Sequence, residues 1–345
     1  MALYLFVTII AFIVNFVLIV PFINFLYKLK MQRQNQETRD AFNKPTPIFD
    51  HFHKHKQGIP VGGGILIVIT TLVLFILSLL LFIVLRRPIQ SNYPAIFSEA
   101  KIIIFSLLSF SLLGIYDDIK KIFILPKQQH IGLRLRHKLI IEVILASIIA
   151  FWLFNDLKID FVHIPFFGVI KLYYFYIIFA IFVIVAFANA VNITDGLDGL
   201  SSGVLMIALM SFWAVARSIV DVPTSLFIGV WLGGIIAFLY FNIFPARIML
   251  GDAGALAFGA TFAVVGLTLG KPFSLLIIGG LFVVEIGSSL IQLVGKKFYK
   301  SKIFPVSPFH LWLQLKGWPE PKIVMRFWLM SILLSIFGLM VAFMK

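Results

Sequence analysis

The sequence predicts an all-α, polytopic membrane protein with about ten transmembrane helices, both termini outside and the chemistry at the cytoplasmic face. Three observations predict it. The 345 residues are 61% hydrophobic with a mean hydropathy of +1.03, which excludes an ordinary soluble globule. The apolar runs are continuous and many reach the roughly 20 residues a helix needs to cross a hydrocarbon core. Closed barrels would alternate apolar and polar residues instead. Basic residues are distributed unevenly between alternate loops, which orients the chain.

The spans fall at 3–27, 61–85, 100–116, 138–155, 172–191, 199–217, 225–243, 254–270, 272–295 and 323–343. The first run exceeds a signal-peptide core and lacks a small-residue cleavage site, so it reads as a retained span. An even count puts both termini on one side. The connections 28–58, 116–138, 192–198, 244–253 and 296–322 carry about twenty Lys and Arg. The other set and the C-terminus carry Arg86, Arg87, Lys101, Lys158, Lys171, Arg217, Lys271 and Lys345. Positive-inside bias therefore makes the first set cytoplasmic. The net charge of +14 is loop charge beside a bilayer with anionic headgroups, so no nucleic-acid partner is implied. There is no cysteine, hence no disulfide and no thiolate metal site. No repeat, low-complexity tract or separate soluble domain interrupts 1–345, which reads as one integral membrane domain. The 296–322 connection holds Pro305, Pro308 and Pro319 among aromatic residues and predicts a short amphipathic helix on the membrane face.

Acidic residues are scarce, fifteen in all, yet five lie in short polar gaps on the cytoplasmic side: Asp117, Asp118, Asp195, Asp198 and Asp252. A carboxylate at a bilayer edge is costly and points to a cation, a proton path or phosphate chemistry. Tyr116-Asp117-Asp118-Ile119-Lys120-Lys121 closes the third span. Clustered carboxylates there suit Mg²⁺, and Lys121 suits a phosphate; a solvated helix end is the plainer reading. Asn189, Asn192, Asp195 and Asp198 repeat at spacing three, a polar stripe predicted on one helical face. Asp252, in Gly251-Asp252-Ala-Gly254, reads as a helix N-cap or a metal ligand. The glycine-rich stretch Gly58 to Gly64, downstream of His53 and Lys56, reads as a phosphate-approaching loop or as close helix packing. Glu285 and Gln292 share a face of the ninth span; Glu285 reads as a structural, buried group. His310 is open between a phosphate contact and a plain loop histidine.

Together these segments resemble the polyprenyl-phosphate N-acetylhexosamine-1-phosphate transferases, over about residue 53 to the C-terminus. The Asp-Asp, Asn-x-x-Asp-Gly-Leu-Asp-Gly and Gly-Asp-x-Gly elements carry the superfamily likeness. Leu315-Lys316-Gly317-Trp318-Pro319-Glu320-Pro321-Lys322, continuing through Arg326-Phe327-Trp328, is similar to the muramoyl-pentapeptide branch, as is Gly58-x-Pro60. The resemblance implies transfer of phospho-MurNAc-pentapeptide from UDP-MurNAc-pentapeptide to undecaprenyl phosphate at the inner face of a bacterial-type plasma membrane. It implies Mg²⁺ dependence and a homodimer. By motif, Asp252 is the Mg²⁺ ligand, Asp117 the base toward the lipid phosphate, and Asp118 a support of metal and phosphate. Lys56, Lys121, Asn192, Asp195, Asp198, Asn242 and Gln292 line the nucleotide and pyrophosphate cleft, and His310 opens the family's histidine cluster.

Two positions depart from that pattern. Leu311 and Trp312 replace the second and third histidines, removing two donors for phosphate charge. Met249 stands where the family has an aromatic three residues before Asp252. These departures leave a sister transferase for another UDP-N-acetylhexosamine as the alternative. Direct attack by the lipid phosphate and a phospho-aspartyl intermediate are both compatible with the residues. An ion-coupled transporter would place its carboxylates near the midplane in paired broken helices, whereas these gather at one interface.

Overall fold

The computed structural model describes residues 1–32, 45–93, 96–124, 133 and 135–344. Parts of the two long basic connections, 33–44 and most of 125–134, therefore lie outside the described residues, as does Lys345. The described chain is helical apart from one hairpin. Eight helices are long and apolar enough to cross a membrane: α1 (Ala2–Lys28), α3 (Gly63–Val84), α4 (Ile96–Ile119, continuing to Phe123), α5 (Leu135–Asn155), α6 (Phe175–Thr194), α7 (Leu200–Ser218), α8 (Val222–Asn242) and α13 (Glu320–Phe343). Short helix α2 (Pro47–His53) runs into a 3₁₀ turn, Lys54–Lys56, and α12 (Phe309–Leu315) lies in the last connection.

Two expected spans look different in the structure. α9 (Asp252–Thr268) is apolar but has only 17 residues. At 1.5 Å per residue it reaches about 25 Å, short of a hydrocarbon core of roughly 30 Å. The expected ninth span is broken into α10 (Pro272–Ile278) and α11 (Gly280–Phe298), bent by 80° about Gly279. With the bent pair taken as one, up to nine helices meet the spanning criteria. A second difference is a small antiparallel hairpin, β1 (Phe161–Ile164) with β2 (Gly168–Lys171), in register Phe161 to Lys171 and Ile164 to Gly168. Its tip exposes Phe166 and Phe167.

The helices form rings around two central ones. Every residue of α9 is buried, and α8 is buried along nearly its whole length. α9 packs on α4 and α6, and α8 on α1, α3 and α7. The close approach of α3 to α9 depends on glycine, because a Cβ on Gly64 would collide with the backbone of Gly254. The peripheral helices α1, α3, α6 and α13 instead expose large apolar side chains such as Val17, Ile76, Phe182 and Ile336. That distribution suits lipid as the solvent of the outer faces. At the end opposite the acidic motifs, Asp221 caps α8 by accepting from the Thr224 N–H at 3.0 Å.

Candidate active site

Three segments distant in sequence meet at one end of the bundle: the end of α4, the turn between α6 and α7, and the start of α9. Asp117 and Asp118, each 1% exposed, end α4 side by side. Asp118 Oδ2 accepts from the Ala253 N–H at 3.0 Å. Asp252 is thus the first residue of α9 rather than its N-cap. Gly251 occupies the cap position without a side chain, and Asp118 serves the helix's free N–H from a neighbouring helix. Gly251 has φ 78°, and a Cβ there would lie 2.8 Å from Asp118 Oδ2, so this corner tolerates no other residue without strain.

Two lysines bind the acidic groups together. Lys121, on the π-helical turn after α4, lies 3.0 Å from Asp117 Oδ2 and 2.7 Å from Asp252 Oδ2. Lys138, on the first turn of α5, lies 3.2 and 2.8 Å from the same two atoms. The remaining Asp117 oxygen accepts from the Leu133 N–H at 2.7 Å. Asp252 faces a cleft of about 310 Å³, while Asp117 is absent from its walls. Lys138 is a site residue that the sequence did not single out. Its signal was a lysine on the very boundary of a predicted span.

The turn 195–199 corrects the expected helical stripe. α6 ends at Thr194, so Asn189 and Asn192 are helical but Asp195 and Asp198 are not. The two carboxylates go separate ways. Asp195 lines the cleft, where burial pushes its carboxyl well above the usual range despite the nearby Lys56. Asp198 is 2% exposed; its Oδ1 lies 2.7 Å from Lys56 Nζ and its Oδ2 accepts from the Ala246 N–H at 2.9 Å. Lys56 also donates to the Gly196 carbonyl at 2.9 Å and to Glu320 at 2.7 Å. Glu320, first residue of α13, further accepts from the Asp198 N–H at 2.5 Å. This residue belongs to the Trp-Pro-Glu-Pro run, which the sequence singles out without revealing that its glutamate reaches back 264 positions to Lys56.

Several predicted cleft residues stand elsewhere. Asn242 is buried behind the turn, accepting from Ser202 at 2.7 Å and donating to the Ile248 carbonyl at 2.9 Å, so it shapes the 243–251 connection. Gln292 clamps the backbone of Ile303 and Phe304. Neither residue lines the cleft: Gln292 spends its amide on main chain, and Asn242 spends its own on Ser202, the Gly199 N–H and the Ile248 carbonyl. The N–H groups of Gly62, Gly63 and Gly64 bond the carbonyls of Met249 and Leu250 rather than facing a ligand, so the glycine segment is a packing device. Asn192, Asp195, Lys56, Lys121, Met249 and Asp252 do line one cavity, together with His53, whose Nε2 lies 2.9 Å from the Gly196 carbonyl. Glu285 is buried and paired with His310, as described below. Leu311 is buried, and Trp312 packs against Phe304 and Phe309, so the two positions that lack histidine are structural here.

Glycosyl transferase family 4 matches residues 100–270, the stretch from α4 through α9. The chain is 32% identical to the phospho-N-acetylmuramoyl-pentapeptide-transferase of Lactobacillus johnsonii over 97% of this chain and 98% of that protein. It is 34% identical to the enzyme of that name from Caldanaerobacter subterraneus over 95% of each. The chain belongs to the phospho-N-acetylmuramoyl-pentapeptide-transferase family. A third member, from Desulfotalea psychrophila, is 35% identical over 83% of this chain. The likeness thus runs through both helices that the acidic pair and α9 contribute, and beyond them to α1 and α13.

Among the described residues no three acidic or histidine side chains stand close enough to enclose a metal ion. Mg²⁺ does not require such a cage, since it keeps several waters and leans on one or two carboxylates plus substrate phosphates. The hard oxygen donors of Asp252, on the cleft wall, and Asp118, beside it at the head of α9, fit that demand.

Proposed function

We propose that this protein transfers phospho-N-acetylmuramoyl-pentapeptide from UDP-MurNAc-pentapeptide to undecaprenyl phosphate, yielding lipid I and UMP. The single observation that carries the reading is the meeting of Asp252, Lys121 and Asp195 on one cleft in a chain that matches this family end to end. In this reading an oxygen of the acceptor phosphate attacks the sugar-bearing phosphorus of the donor. A new P–O bond forms there, the bond to the bridging oxygen breaks, and UMP leaves with that electron pair. Both partners are anionic, so the barrier is largely like-charge repulsion. Lys121, on the cleft wall, stands where it can turn from the carboxylates to phosphate oxygens, while Lys138 stays behind the wall as the counter-charge of Asp117 and Asp252. Asp117, buried behind the cleft wall, would take the acceptor's proton once Lys121 turns away and uncovers it. Mg²⁺, held by Asp252 and Asp118, would supply charge neutralisation on the diphosphate. Lys56 stays with Asp198 and Glu320 and stiffens the Gly196 wall.

The same reading makes the chain a ten-span protein of the bacterial inner membrane, α9 and the bent pair included, with its termini outside, its cleft toward the cytoplasm and two copies per assembly. Loop charge supports the orientation. The test is UMP release by purified protein with Mg²⁺ and undecaprenyl phosphate, comparing UDP-MurNAc-pentapeptide with UDP-GlcNAc. Turnover with the first alone is expected. Turnover with UDP-GlcNAc alone would replace it by the sister activity.

A further inference from the structure

His310, the second residue of α12, is 1% exposed. Two of its groups go to a single residue, Glu285 of α11, which is itself fully buried. The His310 main-chain N–H lies 3.1 Å from Glu285 Oε1, and Nδ1 lies 3.0 Å from Oε2. A carboxylate offers acceptors only, so Nδ1 carries the proton of that bond and Nε2 is left as the ring's other functional atom. Nε2 is buried with no hydrogen-bond partner among the described residues. It points at Gly196, where a Cβ would lie only 2.7 Å from it. Gly196 in turn lines the cleft. Gly196, which bears no side chain, is thus what stands between Nε2 and the cleft.

A buried polar atom without a partner is costly and calls for an explanation. A histidine that merely filled space would be free to turn and pair. Here the bond from Nδ1 to Glu285 orients the ring, and the bond from the His310 main-chain N–H ties the same carboxylate to the start of α12. We infer that Glu285 is a positioning residue of the active site, fixing the ring so that His310 Nε2 is kept for an oxygen of the substrate's phosphates. The inference rests on the transferase reading and deepens it. A phosphate oxygen is an acceptor, so the ring then donates from Nε2 while the buried carboxylate stabilises its opposite edge, the logic by which an orienting acid serves a catalytic imidazole. One well-anchored histidine replaces a cluster, since positions 311 and 312 are given to packing.

Glu285→Gln decides it. Its Oε1 still accepts the His310 main-chain N–H, but its amide donates to Nδ1 and so imposes the other tautomer. Expected is a kcat lowered about 100-fold with KM nearly unchanged, the loss typical of one preorganised donor. His310→Ala should fall as far, the double variant no further, and Glu285→Asp should recover part of the rate. Glu285→Gln within twofold of the parent, or losses that multiply in the double variant, would overturn the inference. Histidine ¹⁵N shifts of the unsubstituted protein give a readout independent of turnover: His310 Nδ1 protonated is expected. An unprotonated Nδ1 would remove the positioning role alone, whereas no UMP release from any UDP-sugar would remove the transferase reading and this inference with it.

Discussion

Lys138→Met tests the arrangement at its least anticipated point. The substitution keeps the length of the side chain and deletes its charge. In the parent protein two ammonium groups stand between Asp117 and Asp252, at 2.7 to 3.2 Å from their Oδ2 atoms. The carboxylates are 1% and 7% exposed, and the Lys138 side chain 10%. Breaking a buried pair by removing one partner costs about 3–5 kcal/mol, because the remaining charge stays out of water. Here Lys121 remains and shares itself between both carboxylates, so the lower end, about 3 kcal/mol, is expected. The assay is the midpoint and slope of denaturant unfolding in detergent micelles, in a cycle with Asp117→Asn. If the ion pair sets the cost, Asp117→Asn should restore about 2 kcal/mol to the Lys138→Met protein. UMP release should stay low in both, since the counter-charge that holds Asp252 in place is still missing. Unfolding of Lys138→Met at the parent's midpoint, or strictly additive effects in the cycle, would refute the bridging role.

Three further outcomes follow from the same geometry. Asp252→Ala should leave the protein folded and lower turnover at least 1000-fold, read by UMP release beside a thermal melt; a near-parent rate would take Asp252 out of the site. Asp195 has its folded pKa raised by burial, so the folded state binds the extra proton and stability falls as pH rises above the ordinary Asp range toward the raised value. Asp195→Asn should flatten that fall and raise the neutral-pH melting temperature; an unchanged pH dependence of melting would contradict the burial. Gly251→Ala should destabilise by about 2 kcal/mol or more, from strain at φ 78° and the clash with Asp118, measured by the same unfolding assay.

The membrane class and the position of almost every helix were legible from apolar run length alone, because lipid demands continuous apolar helices. The departures come from what run length does not contain. Residues 254–270 read as a full span, yet α9 is 17 residues with no lipid-facing side. A helix wrapped by α4, α6 and α3 need not match the bilayer's thickness. Residues 272–295 read as one span because neither Gly279 nor Gly280 interrupts hydropathy, although the chain bends there by 80°. The hairpin at 161–171 was hidden in a connection too short to argue over.

In the site, spacing found the carboxylates and misjudged their company. Asp195 and Asp198 share a spacing of three, but the helix stops at Thr194 and the turn sends them to different neighbours, one to the cleft and one to Lys56. The same lapse hides the partners of Lys138, Glu285 and Glu320, which lie across the bundle. Lys138 and Glu320 share a physical reason for their placement. A group of carboxylates can be assembled before substrate arrives only if something offsets their charge. Lys121 and Lys138 do so at α9, and Lys56 does so at the turn, where Glu320 adds a second acceptor and ties α13 to the wall. In the ligand-free fold each of these cations is held on carboxylates, which keeps together charges that the buried site could not otherwise assemble.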